Sequence, residues 1–153
     1  MTTITVTKGS KRRFEAPGLG WIQPKGVFST DYIGQVEGIG ELSLTRNWTG
    51  LKYTVTDSIG RVRGSYEKKG WTGSRGPLMW DDVEYEFAHH SAWNNSCVLR
   101  RHNEDLATFK PKWTGSSVEV ELLDHAHLPP GLVLVGVWIT LMRVQDAAAA
   151  ASS

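Results

Sequence analysis

The sequence predicts an all-β fold assembled around one apolar segment near the C-terminus, and three observations carry that expectation. Sixteen glycines and six prolines are spread along 153 residues and cut the chain into short segments that rarely hold a helical period. Several of these segments alternate apolar and polar residues with period two. Residues 129–144 hold a density of apolar side chains that nothing upstream approaches, with no charge between Leu132 and Met142.

In chain order, residues 2–7 alternate threonine with Ile4 and Val6, which predicts a first strand with one apolar face. A basic cluster follows at Lys8, Lys11, Arg12 and Arg13. Ala16-Pro17-Gly18-Leu19-Gly20 and Gln23-Pro24-Lys25-Gly26 are breakers flanking Trp21, so this part reads as a loop-rich excursion. Residues 32–35 and 41–45 read as strands around a Gly38-Ile39-Gly40 turn. Residues 51–56 and 61–66 are joined by Asp57-Ser58-Ile59-Gly60, whose turn chemistry predicts an antiparallel hairpin. Val83-Glu84-Tyr85-Glu86-Phe87 alternates and sends Val83, Tyr85 and Phe87 inward. A second hairpin pairs residues 96–101 with 106–110 through His102-Asn103-Glu104-Asp105, and residues 117–122 alternate again with Val118, Val120 and Leu122 on one face. Trp-Thr-Gly occurs three times, at Trp48, Trp71 and Trp113. The unequal spacings fit no solenoid or propeller period, so the repeat reads as one local turn solution used three times.

The terminal segment is apolar on every side, and such a helix is buried in protein or in lipid. A bilayer span needs roughly 20 apolar residues. With Pro130 and Arg143 as its bounds the run is too short, which favours burial in protein. Val133, Val135, Val137 and Ile139 are β-branched and alternate, as in a strand buried on both faces. Pro129 and Pro130 suit the first positions of a helix, Arg143 a C-terminal turn, and the alanines that follow Asp146 favour helix. The residues leave helix and strand both open.

One domain is expected over residues 1–146, with an Ala/Ser tail at 147–153. A formal charge of +1 gives no global field toward nucleic acid, and no nucleic-acid partner is expected; any binding to an acidic surface must use a local patch. The single cysteine, Cys97, excludes an internal disulfide, and residues 1–20 lack the apolar core of a signal peptide, so a reducing cytoplasm is the expected setting. The Asn47-Trp48-Thr49 and Asn94-Asn95-Ser96 glycosylation patterns then read as chance matches.

The chain offers no catalytic constellation, and the expectation is a non-enzymatic module without a cofactor. His125 and His127 would share a face if extended and could bind zinc with His89 or His90, but no Cys pair or His-Glu-x-x-His helix supports a metal site. Cys97 stands beside Val98 and Leu99 in an alternating strand, as a small buried hydrophobe rather than a nucleophile. Asp81-Asp82 lacks the ligand spacing of a calcium loop.

Three stretches together resemble the tubby C-terminal-like superfamily, with its LURP-one-related and phospholipid scramblase-like members. Tyr53-Thr54-Val55-Thr56-Asp57-Ser58-Ile59-Gly60-Arg61-Val62 looks like the family's strand, Asp turn and Gly, then strand. Cys97-Val98-Leu99-Arg100-Arg101-His102-Asn103-Glu104-Asp105-Leu106-Ala107-Thr108-Phe109 is similar to its later hairpin, and residues 132–144 to its hydrophobic helix. The likeness covers residues 40–145. It implies an antiparallel β-barrel of about twelve strands closed around a C-terminal helix, with Leu132, Leu134, Val135, Trp138, Leu141 and Met142 in the core. Such closure suits the physics, since an all-round apolar helix needs a wall and a closed sheet has no exposed edge.

The resemblance also implies recognition of phosphoinositide headgroups on an anionic membrane surface, at the membrane periphery. Arg61 and Arg63 alternate and should share a strand face, offering convergent donors to phosphate; Lys11, Arg12 and Arg13 are the next candidates. The plainer reading of all five is a solvated face balanced by glutamates. Seven tryptophans suggest filled core positions at Trp80 and Trp138, whereas Trp48, Trp71 and Trp113 stand beside turns, where they could stack on a sugar. A third possibility, a hollow barrel carrying a small apolar ligand, requires that no segment fill the lumen.

Overall fold

The computed structural model describes residues 1–27, 29–70, 73–91, 94–123 and 126–152. Among them, twelve strands form one closed antiparallel barrel, followed by one long helix. The strands are β1 (Thr2–Lys8), β2 (Phe14–Ala16), β3 (Gly20–Pro24), β4 (Tyr32–Val36), β5 (Gly40–Arg46), β6 (Lys52–Asp57), β7 (Val62–Glu67), β8 (Arg75–Trp80), β9 (Val83–His89), β10 (Cys97–Arg101), β11 (Glu104–Pro111) and β12 (Ser117–Leu122); the helix is α1 (Pro130–Ala151). Each strand pairs with its sequence neighbours, and β1 closes the ring against β12 from Thr2 opposite Leu122 to Thr7 opposite Ser117.

The terminal segment is a helix. Pro129 caps it and Pro130 occupies its first turn, where a missing N–H is no loss. Every residue of α1 from Gly131 to Met142 is buried, as an apolar helix enclosed by a wall requires. Leu132, Leu134, Val135, Trp138, Leu141 and Met142 are all in the core. Two glycines let aromatic rings reach the helix backbone: a Cβ on Gly131 would lie 2.4 Å from Trp80, and one on Gly136 2.4 Å from Phe109. Around the helix runs a ladder of rings, Tyr32 to Trp138 to Tyr53 to Tyr66 to Phe87 to Phe109, with centroids 5.1–6.5 Å apart. The lumen is therefore filled, as a barrel closed around its C-terminal helix requires, and the condition for the hollow-barrel possibility is not met.

The length argument for burial is corrected as well. Arg143 does not end the helix, which runs 22 residues to Ala151 and is long and apolar enough to cross a membrane by composition. Residues 147–151 are its last turns rather than a separate tail. What keeps the segment in protein is the closed wall, and Arg143 is accommodated by donating to the carbonyls of Ser96 and Ser91.

Three local expectations change. The loop-rich excursion is the β2–β3 hairpin, in which Pro17 and Gly18 form only the turn and Phe14 pairs with Ile22. Strand β8 is an element the sequence pattern did not predict; Pro77 sits where its pairing with β7 is interrupted between Tyr66 opposite Leu78 and Lys69 opposite Arg75, and Gly76 admits Glu67 O where a Cβ would be 1.9 Å away. The β10–β11 connection shrinks to His102 and Asn103, both with positive φ as in a tight primed turn, so Glu104 and Asp105 join β11.

Alternating strand directions sort the connections into two groups. Those after odd-numbered strands lie at the end where α1 emerges, and those after even-numbered strands lie where it begins. Gly131 meets Trp80 and Ile39 at the starting end, while Trp138 Nε1 donates to Thr30 O (3.2 Å) and Asp146 meets Arg46 at the exit end.

Candidate functional site

The two ends of the barrel carry opposite charge. At the exit end Lys8, Lys11, Arg12, Lys25 and Lys112 are exposed, and none forms an ion pair among the described residues. At the starting end Glu37, Asp81, Asp82 and Glu104 are exposed and outnumber the exposed Arg61 and Arg101. A chain of near-zero net charge thus gathers its unpaired lysines, among the described residues, at one end of the barrel.

Lys11 and Arg12 sit at the centre of the β1–β2 turn with φ of 59° and 60°, held by Arg13 N donating to Ser10 O (3.2 Å). Two consecutive residues in the left-handed region hold both cations out into solvent. Beside them an open depression of about 380 Å³ is lined by Lys8, Arg12, Phe14, Tyr32 and Leu141. Burial pushes the Tyr32 phenol up to about 12, partly offset by Arg12, so it stays neutral. Arg13 is committed elsewhere: its guanidinium lies 3.7 Å from the Trp21 ring centroid and bonds Gln23.

Arg61 and Arg63 do not form the expected pair on a strand face. Strand β7 begins at Val62, leaving Arg61 in the preceding turn, and Arg63 donates to both carboxylate oxygens of Asp81 (2.7 and 2.9 Å). The hydrogen bonds hold the Asp81 carboxyl below its usual range. Both arginines lie at the acidic end. Of the five expected headgroup residues, the structure holds Lys11 and Arg12 together without an ion-pair partner among the described residues, engages the adjacent Arg13 with Trp21 and Gln23, and places Arg61 and Arg63 at the other end.

The turn repeat is real. Gly50 N donates to Asn47 O (3.0 Å) and Gly115 N to Lys112 O (2.9 Å), with φ of 74° at both glycines. Asn47 Oδ1 accepts further bonds from Thr49, Leu51 and Lys52. Gly73 N likewise donates to Gly70 O; Trp71 itself lies outside the described residues. The two turns described in full present their tryptophans to water, Trp48 at 96% exposure and Trp113 at 89%. Both are at the exit end, and the β5–β6 and β11–β12 tips face each other across the twelve-stranded ring. Trp80 and Trp138 are core, as expected.

Between the tips the mouth is closed by a polar clamp. Arg46 donates to Asp146 (3.0 Å to Oδ1) and to Gly50 O, and Lys68 Nζ lies 3.7 Å from the same carboxylate. Desolvation pushes Lys68 down and, with Arg143 and Lys68 nearby, holds His89 at about 4. Burial pushes the Cys97 thiol up, leaving it uncharged behind the wall. No group of three metal-ligating side chains occurs among the described residues, and His125 lies outside them.

Sequence reasoning missed the shared placement of Trp48, Trp113 and the free cations. The available signal was strand parity between the turn repeats, which needs every strand counted. Comparison with protein-family models, curated proteins and solved structures found no match.

Proposed function

We propose that this chain is a non-enzymatic binding module that docks the exit end of its barrel on membrane surfaces bearing anionic headgroups, phosphoinositides among them. The observation that carries this reading is the gathering of Lys8, Lys11, Arg12, Lys25 and Lys112 at one end, with no carboxylate partner among the described residues. The resemblance to tubby-like proteins points to the same ligand class, and a cytoplasmic, membrane-peripheral setting goes with it. Each cation near an anionic surface contributes about 1 kcal/mol, within a Debye length of about 8 Å.

The test is flotation with phosphatidylcholine vesicles, with and without phosphatidylserine and a phosphoinositide, at two salt concentrations. Wild type should float only with anionic vesicles and lose binding as salt rises. Lys11→Gln with Arg12→Gln should weaken binding by roughly 30-fold, from about 2 kcal/mol lost, while Arg61→Gln with Arg63→Gln should leave it intact. No flotation at low salt overturns the reading, and loss of binding in the Arg61, Arg63 variant alone moves the site to the other end.

A further inference from the structure

We infer that Trp48 and Trp113 are a matched pair of interfacial anchors that seat the barrel upright, its exit end in the headgroup layer of a bilayer. This rests on the membrane reading above and adds to it a geometry and an apolar contribution that charge alone does not supply.

Nothing in the fold requires a tryptophan at either position. Both side chains are almost wholly in water, while the turns are held by the Asn47, Gly50, Lys112 and Gly115 backbone and by Asn47 Oδ1. Indole suits one place especially well, the boundary between hydrocarbon and water, where its apolar ring is buried and its N–H stays hydrated. The same turn on opposite sides of the ring sets two rings on one plane across the axis, which fixes tilt as a single anchor cannot.

Three further features of that plane agree. Val27, on the β3–β4 connection at the same end, is 65% exposed. The exposed cations Lys8, Lys11, Arg12, Lys25 and Lys112 share that end with the tips, where anionic headgroups would meet them. Between the tips the helix stub emerges: Val144 lies against Gly115 and Asp146 against Arg46 at the rim, so the exposed residues 147–151, all alanine, project beyond it. Five helical residues reach about 8 Å, comparable with the roughly 5–10 Å depth of an interfacial element. The basic field selects the anionic surface as the occupant over a neutral sugar.

The test uses the whole chain with anionic vesicles, plain or carrying brominated acyl chains that quench nearby indoles. Wild-type fluorescence should be quenched on binding, Trp48→Ser and Trp113→Ser should each remove part of that quenching, and the double variant most of it. Each single substitution should weaken vesicle binding about tenfold with an unchanged salt slope and melting temperature, whereas Lys11→Gln with Arg12→Gln should lower the slope. Salt-sensitive flotation with no change in quenching or affinity in the tryptophan variants overturns the anchors and leaves the headgroup reading standing. Wild type that fails to bind vesicles overturns both, and binding to a glycan array through Trp48 or Trp113 in that case assigns the tips to sugar stacking.

Discussion

Gly136→Ala should destabilise this protein, although the same change on an exposed helix stabilises it. Replacing glycine by alanine in a helix interior gains about 1 kcal/mol from backbone entropy. Here the new Cβ would stand 2.4 Å from Phe109 Cζ and 2.6 Å from Cε2, closer than carbon atoms tolerate. Phe109 cannot retreat freely, being fully buried with the Phe87 ring 5.4 Å away. Overpacking of a closed core costs about 1–3 kcal/mol, so after the backbone gain the net loss should be up to about 2 kcal/mol, read as a fall of up to about 8 °C in melting temperature for a chain of this size. Phe109→Leu removes the offending ring edge, so Gly136→Ala should be neutral or stabilising in that background. Thermal melts or urea titrations of the four-member cycle give the coupling directly. A stabilising Gly136→Ala in the wild-type background, or zero coupling to Phe109, would refute ring-on-backbone packing and with it the placement of α1 against β11.

Two further outcomes follow from the interior. Trp138→Ala removes a fully buried indole, its bond to Thr30 O and its edge contact with Tyr53; it should cost about 3–5 kcal/mol and either lower the melting temperature by roughly 10 °C or prevent folding, and an unchanged melt would show that α1 is not the core. His89 takes its proton only near pH 4 in the folded chain, against an ordinary value of 6.5, because it is desolvated and faces Arg143 and Lys68; the unfolded chain therefore binds the extra proton between those values, and stability falls as pH drops through that window, by at most about 3 kcal/mol. The His89→Asn variant should show a flatter urea-midpoint profile between pH 6.5 and 4, and an identical slope would mean that His89 titrates normally.

Much of the wall was legible in the sequence because period-two alternation survives wherever one face is buried and the other wet, as in β9 and β12. It failed where backbone chemistry hid the pattern. Gly76 and Pro77 belong to a strand because a glycine is needed against Glu67 O and the proline falls where the pairing with β7 is interrupted, neither of which shows locally. Overlooking β8 has a consequence out of proportion to its six residues. In an antiparallel ring each omitted strand transfers every later turn to the opposite end, so Trp113 could not be placed beside Trp48. Arg61 and Arg63 misled for a related reason: alternation fixes a face but does not reveal that Asp81, from the next hairpin, occupies it. The helix was undecidable from its own residues, since an element enclosed on all sides shows no periodicity.

The barrel is closed by pairing Thr2 with Leu122, and its filling follows later still in the chain. On the ribosome the wall is therefore made before the element that fills it, and β1 must wait for nearly all the other strands before it finds its second neighbour. Until α1 arrives, Leu42, Leu44, Val55, Phe87 and Phe109 face an unfilled lumen, and until β12 is made β1 is an open edge. Contacts so distant in sequence form slowly, and chains with exposed strand edges associate with one another in the interval. Stability in this architecture arrives late and at once, so nascent chains stalled before α1 should be clients of chaperones rather than half-stable barrels.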